Sequence, residues 1–138
     1  MITGGITINL TQVRGRSIQL LELLGKQGHI ALQEVADHIS GEAKDMAPFD
    51  EGILTENIRG DVQNRGGIEA AVISVPSNAP SKDYAIPMHE GDYNLGEGSL
   101  AKQSRVGKQV GKGYITRAID DNRTKIKEII TDNLKRGL

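Results

Sequence analysis

The chain has no cysteine and no tryptophan, and its 138 residues include one phenylalanine, three tyrosines and four prolines. Without cysteine, disulfides and thiolate metal sites are excluded, and a reducing compartment is compatible with the chain. With Phe49, Tyr84, Tyr93 and Tyr114 as the only aromatic residues, the core must be aliphatic. No apolar run approaches the length needed to span a bilayer, so no membrane segment is expected. Residues 1–10 lack a basic region and an apolar stretch, and no signal peptide is expected there. Histidine is scarce too. His29, His38 and His89 stand in no metal-ligand spacing, such as two histidines four apart on a helix, so no metal site is expected.

What is present fits one domain over residues 1–138. Hydrophobic residues make up 37% of the chain, near the low end for a globular protein, while 17 glycines point to many turns or long mobile loops. A thin core in a glycine-rich chain argues for stability gained through association. Net charge is −1 but unevenly spread. Residues 30–61 hold eight acidic side chains against Lys44 and Arg59, a net of −6, whereas residues 99–138 hold ten basic against four acidic, a net of +6. Opposite poles of this kind can meet within one molecule or between stacked neighbours.

The apolar pattern gives the elements. Residues 6–10 alternate apolar and polar, as in a short strand. Leu20, Leu21, Leu23 and Leu24 predict a short helix over residues 17–24, ended by Gly25. Leu32, Val35, Ala36, Ile39, Ala43 and Met46 recur in steps of three and four, one stripe of a helix over residues 29–46. Ala47 precedes a proline and is pushed out of the helical region, so that helix should stop there. Asp50 and Gly52 then predict a tight turn, with Asp50 bonding its own backbone and Gly52 free to take a positive φ. Residues 54–62 and 68–75 read as strands joined around Asn64-Arg65-Gly66-Gly67, the second of them central. Residues 84–90 resume as a strand or a single helical turn, with Pro87 arguing against a central ladder position. Residues 92–113 form a flexible, basic, glycine-rich loop. A final helix carries Ile115, Ile119, Ile126, Ile129, Ile130 and Leu134 on one stripe, with Asp120 and Asp121 early and Lys135 and Arg136 late, as the helix dipole favours. The fold class is α+β, a small antiparallel sheet packed by the long helix of the N-terminal half and by the C-terminal helix.

Catalytic constellations are not apparent. No serine sits in a nucleophile-elbow context. The acidic pairs Asp45 with Asp50 and Asp120 with Asp121 read as a helix end, a turn and a dipole-matched first turn, and not as acid–base machinery. Gly107-Lys108 and Gly111-Lys112-Gly113 invite a phosphate-loop reading. It fails, because that motif needs a glycine five positions before the Gly-Lys pair and a Ser or Thr after it. Lys102, Arg105, Lys108 and Lys112 remain as candidate contacts to a partner or to a polyanion. No enzyme and no cofactor is expected. A small, non-specific nucleic-acid-binding protein using the basic C-terminal portion is the alternative functional class.

The order of elements resembles the minor tail-component family of long-tailed bacteriophages, which includes tail-completion and head-tail joining proteins. Its Ile-x-Ile lead-in is similar to Ile6 and Ile8, and its leucine-rich helical stretch to residues 20–46. Its Ala-Pro-x-Asp-x-Gly-x-Leu turn matches Ala47, Pro48, Asp50, Gly52 and Leu54, and Asn57-Ile58 stands where the family favours Ser-Ile. A later Tyr-Ala segment leading to Glu and Gly resembles Tyr84, Ala85, Glu90 and Gly91, and an aromatic-to-Ala helix entry resembles Tyr114 and Ala118. The resemblance implies a structural subunit of a phage or prophage tail or neck, made in the bacterial host cytoplasm and carried in the virion. It further implies a homo-oligomeric ring, often of six, around the DNA passage. The partners it implies are neighbouring tail or connector proteins, with weak, non-specific contact to DNA in the channel and none with a membrane.

Overall fold

The computed structural model describes residues 12–14, 17–23, 25–49, 53–65, 68–75, 88–89, 91 and 93–136. In chain order the described elements are β1 (Gln12–Arg14), β2 (Ser17–Leu23), α1 (Gly25–Met46), α2 (Ile53–Asn57), β3 (Arg59–Arg65), β4 (Ile68–Ser74), α3 (Glu97–Val106), α4 (Tyr114–Asp120) and α5 (Arg123–Arg136). The strands form one sheet in the order β1-β2-β4-β3, with every neighbouring pair antiparallel. The architecture is α+β, as the pattern of apolar residues implied.

The long helix forms where the three- and four-residue spacing places it, and it begins four residues earlier, at Gly25. Leu32, Val35, Ala36, Ile39 and Ala43 are all fully buried. They are buried because α1 is a middle layer. One side rests on β2, β3 and β4, and the other takes α4 and α5. The C-terminal helices therefore reach the sheet chiefly through α1, and Ile115, Ala118, Ile119, Ile126, Ile129 and Ile130 complete the apolar cluster. β4 is central, as expected, with Ala70, Ala71, Val72 and Ile73 all buried. β3 and β4 pair from Arg59↔Ser74 to Arg65↔Ile68, so Asn64 and Arg65 of the expected turn belong to the ladder, and Gly66 and Gly67 lie outside the described residues.

Four expectations are corrected. Residues 17–23 are a strand and not a helix, and Gly25 opens α1 instead of closing a helix. Pairing with β1 on one edge and β4 on the other outweighs the leucine spacing, and the ladder absorbs an irregularity between Gln19 and Leu21. Residues 53–57 form the short helix α2, and the strand starts only at Arg59. The segment 92–113 is not simply a loop, because it carries the ten-residue helix α3, closed by Gly107 in the left-handed conformation at φ 70°. The C-terminal stripe is divided between α4 and α5. Asp121 N donates to Arg117 O at 2.9 Å, while Asn122 O accepts from Ile126 N at 2.9 Å, so one helix ends and the next begins at 121–122. Asp120 and Asp121 thus close α4 instead of opening a long helix. The expected strand at residues 6–10 and the turn residues Asp50 and Gly52 lie outside the described residues, as do Tyr84 and Glu90.

Gly41 is an exposed interior residue of α1, and a Cβ there would meet nothing within 4 Å. Gly41→Ala should stabilise the fold by about 0.5–1 kcal/mol, through helix propensity alone. Chemical denaturation will show this as a raised midpoint at unchanged slope.

Candidate functional site

Of the residues that resemble the phage-family turn, Ala47, Pro48 and Leu54 are described, and they lie by the C-terminal end of α1. A helix end leaves its last carbonyls without intrahelical partners, and here most are capped by other parts of the chain. Ala43 O takes the Ala47 amide at 2.9 Å, and Met46 O takes the Gly111 amide at 2.8 Å. Lys102 of α3 covers Lys44 O. Its Nζ donates to Lys44 O, to Ala47 O at 2.7 Å and to Thr55 Oγ1 of α2 at 3.0 Å, using all three ammonium hydrogens. Lys102 is only 3% exposed, and burial pulls its pKa from 10.5 down to about 8; the charge of Asp45 opposes that shift and that of Arg105 adds to it.

One turn earlier on the same helix, the Ser99 hydroxyl brackets Phe49. It accepts from Phe49 N at 2.8 Å and donates to Phe49 O at 3.4 Å. Gly98 lies so close that a Cβ would stand 2.9 Å from Phe49 O. Beyond α3, Lys108 Nζ bonds the carboxylates of Glu42 and of Asp45, the latter at 2.8 Å. Burial opposes the charge on Lys108, but its hydrogen bonds to Asp45 and Glu42, with the charges of those carboxylates, outweigh it and hold the pKa above its ordinary value. Arg136 Nη1 of α5 also lies 3.7 Å from Glu34 Oε1 of α1. The acidic and basic halves of the chain therefore meet, at least in part, inside one molecule.

The glycine–lysine segment 107–113 is built by carbonyls and not around an anion. Arg117 donates from Nε to Lys112 O at 2.8 Å, from Nη1 to Gln109 O at 2.8 Å and from Nη2 to Gly111 O at 3.2 Å. Its amides are committed as well: Val110 N to Gln103 Oε1 at 3.0 Å, Gly111 N to Met46 O, and Gly113 N to His89 O at 2.7 Å. Gly111 sits at φ 122°, a conformation that favours glycine.

Of the residues singled out from sequence, Leu54 is buried at 1% exposure on α2, and Pro48 is buried directly after α1. Gly91 is half-buried. Lys102 is corrected from a surface contact to a buried helix cap, and Lys108, partly exposed, stands in an intramolecular ion pair. Arg105 and Lys112 are exposed. Sequence reasoning missed Ser99 and Arg117. The signal for Ser99 was its three-residue spacing from Lys102, which puts both on one face of a helix.

An open pocket of about 370 Å³ adjoins this helix end, lined among others by Pro48, Phe49, Met88, Tyr93, Leu95 and Gly98. Tyr93 donates to Met88 O at 2.6 Å on its border, and burial raises the phenol's pKa against the lowering effect of Arg117. The histidines are occupied structurally. His38 Nε2 lies 3.1 Å from Asn122 Oδ1, His29 pairs with Glu69, and His89 packs edge-on to Tyr114 at 4.9 Å. Among the described residues no group of three or more His, Asp or Glu could hold a metal ion, and no helix is long and apolar enough to cross a membrane. Comparison with known protein families, curated proteins and solved structures finds no match to this chain.

Proposed function

We propose that the chain is a structural subunit of a phage or prophage tail or neck, similar to the tail-completion proteins that join tail to head as a ring. The observation that supports this reading is the position of the family-like residues Ala47, Pro48 and Leu54. They lie at the junction of α1, α2 and α3, where Lys102 ties helix end to helix. A recognition motif whose residues are invested in packing and backbone capping suits a building block. The nucleic-acid alternative draws its strength from Lys102, Arg105, Lys108 and Lys112, and Lys102 and Lys108 at least are engaged in internal bonds.

The reading has a direct test in a host where the element carrying this sequence yields particles. Deleting the coding sequence should leave filled heads and separate tails in electron micrographs of the lysate. Intact, infectious particles would overturn the proposal. A purified chain that stays monomeric at high concentration and binds duplex DNA in moderate salt would favour the nucleic-acid reading instead.

A further inference from the structure

We propose that residues 97–111 form a polar strap that opens and closes over the end of α1 as one unit, while the hydrophobic core stays intact. The inference does not depend on the assembly reading, since it concerns the isolated chain.

The first ground is what the strap lacks. None of its residues belongs to the continuous apolar cluster, which passes from Val75 to Tyr114 with Met88 packed at its border. Val110 is the strap's one buried hydrophobic residue, and the buried positions of α3 are Ser99 and Lys102. Leu100, its largest apolar side chain, is 49% exposed. Lifting the strap would therefore uncover little apolar surface, the quantity that makes most sub-globular openings costly.

The second ground is what holds the strap down. Its attachments to the body are polar: Arg117 of α4 holds Gln109 O and Gly111 O, Lys102 reaches Thr55 Oγ1, and the others fall along one line. Ser99 brackets Phe49, Lys102 caps Lys44 and Ala47, Lys108 pairs with Glu42 and Asp45, and Gly111 N bonds Met46 O. They span residues 42–49, the last turn of α1 and the three residues after it. Because each contact positions the next, losing one weakens its neighbours, which makes the set cooperative. Lys108 is 33% exposed and Asp45 44%, so salt can reach this end of the strap and screen it.

Opening bares a defined surface: the Glu42 and Asp45 carboxylates and the carbonyls of Lys44, Met46 and Ala47. It is acidic and rich in acceptors. In the closed state the strap's own lysines and the Gly111 amide satisfy it.

Native-state hydrogen exchange resolved by residue tests the strap. The amides of Leu100 and Gly107 bond within α3 or its cap, whereas Gly111 N bonds α1 and Phe49 N bonds Ser99 Oγ. If the strap moves as a unit, all four exchange with one opening free energy, below that of the amides of residues 35–43. Simple fraying of α3 would release Phe49 with Ser99 but leave Gly111 protected at the level of the core, and that result overturns the proposal. Raising ionic strength from about 0.1 M to about 1 M should speed exchange of the four several-fold and leave residues 35–43 unchanged. Lys102→Met should accelerate the same four by about tenfold or more, because it removes three donors at once. Lys108→Gln, a milder change at a partly exposed site, should accelerate them several-fold and abolish most of the salt effect. Exchange of the four only with the core, or without response to salt and to both substitutions, refutes the strap.

Discussion

Replacing Gly60 with alanine is expected to destabilise the protein by about 3 kcal/mol, a large loss for one methyl group. Gly60 lies in β3 opposite Ile73 of β4, at a point where the strand backs directly onto α1. A Cβ built there would stand 2.3 Å from Ala36 O, 2.8 Å from Ala36 C and 2.9 Å from Ser40 Cβ. The first two are helix backbone, which cannot rotate out of the way as a flexible side chain would. Nor can α1 retreat as a body, because Ile115, Ile119, Ile126 and Ile130 close its other side. Strand and helix must separate, and close-packed interiors resist such shifts. Denaturant titration at two salt concentrations should give the same loss at both, since no charge is involved. A loss below about 0.5 kcal/mol would mean that β3 and α1 do not approach so closely.

Lys102→Met is the second large effect, and its signature differs. Removing the ammonium leaves the Lys44 and Ala47 carbonyls and the Thr55 hydroxyl without this donor, at a cost of roughly 1–3 kcal/mol. If the strap opens independently, the loss cannot exceed the free energy that holds it closed, however many contacts are broken. The pH dependence has a definite sign. Burial places the folded-state pKa of Lys102 at about 8, below its ordinary value of 10.5. Between those two values the unfolded chain retains a proton that the folded chain has released, so stability contributed by this residue rises with pH across that window and is flat below it. Melting temperatures of the parent and of Lys102→Met should therefore diverge, in favour of the parent, as pH climbs from about 8 towards 10.5. A constant gap would show that Lys102 titrates normally. Lys108 works in the opposite sense: its contribution is fully present below its ordinary value and is lost as pH rises from there through the raised folded-state value.

How far the fold could be read from sequence depended on where each element hides its side chains. The helix over 29–46 was legible because its buried residues are aliphatic and recur at helical spacing, and β4 because Ala70 to Ile73 is apolar on both faces. α3 was invisible for a physical reason. Its buried residues, Ser99 and Lys102, are polar, and a search for apolar periodicity passes over them. The division of the C-terminal stripe was concealed because Ile119 and Ile126 stand seven apart, two turns of an unbroken helix. Asn122 instead ends one helix and starts the next, its Nδ2 bonding Ala118 O at 2.7 Å while Oδ1 meets His38. At β2 the four leucines carried helical spacing, but strand partners on both edges decided the conformation. The candidate site was half legible. The halting of α1 at Ala47-Pro48 followed from elementary stereochemistry, whereas its three-pronged cap came from a lysine 55 residues downstream of Ala47, a separation that no local pattern encodes.

The bend after α3 leaves a trace that can be followed in other genomes. Its left-handed torsions at Gly107 and Gly111, the buried Val110 between them and the buried Tyr114 that follows bind backbone and core at fixed intervals. Descent should erode the lysines of this stretch well before it erodes the spelling Gly-x-x-Val-Gly-x-Gly-Tyr. Distant cousins are best sought by that short phrase, preceded by a Ser-x-x-Lys pair.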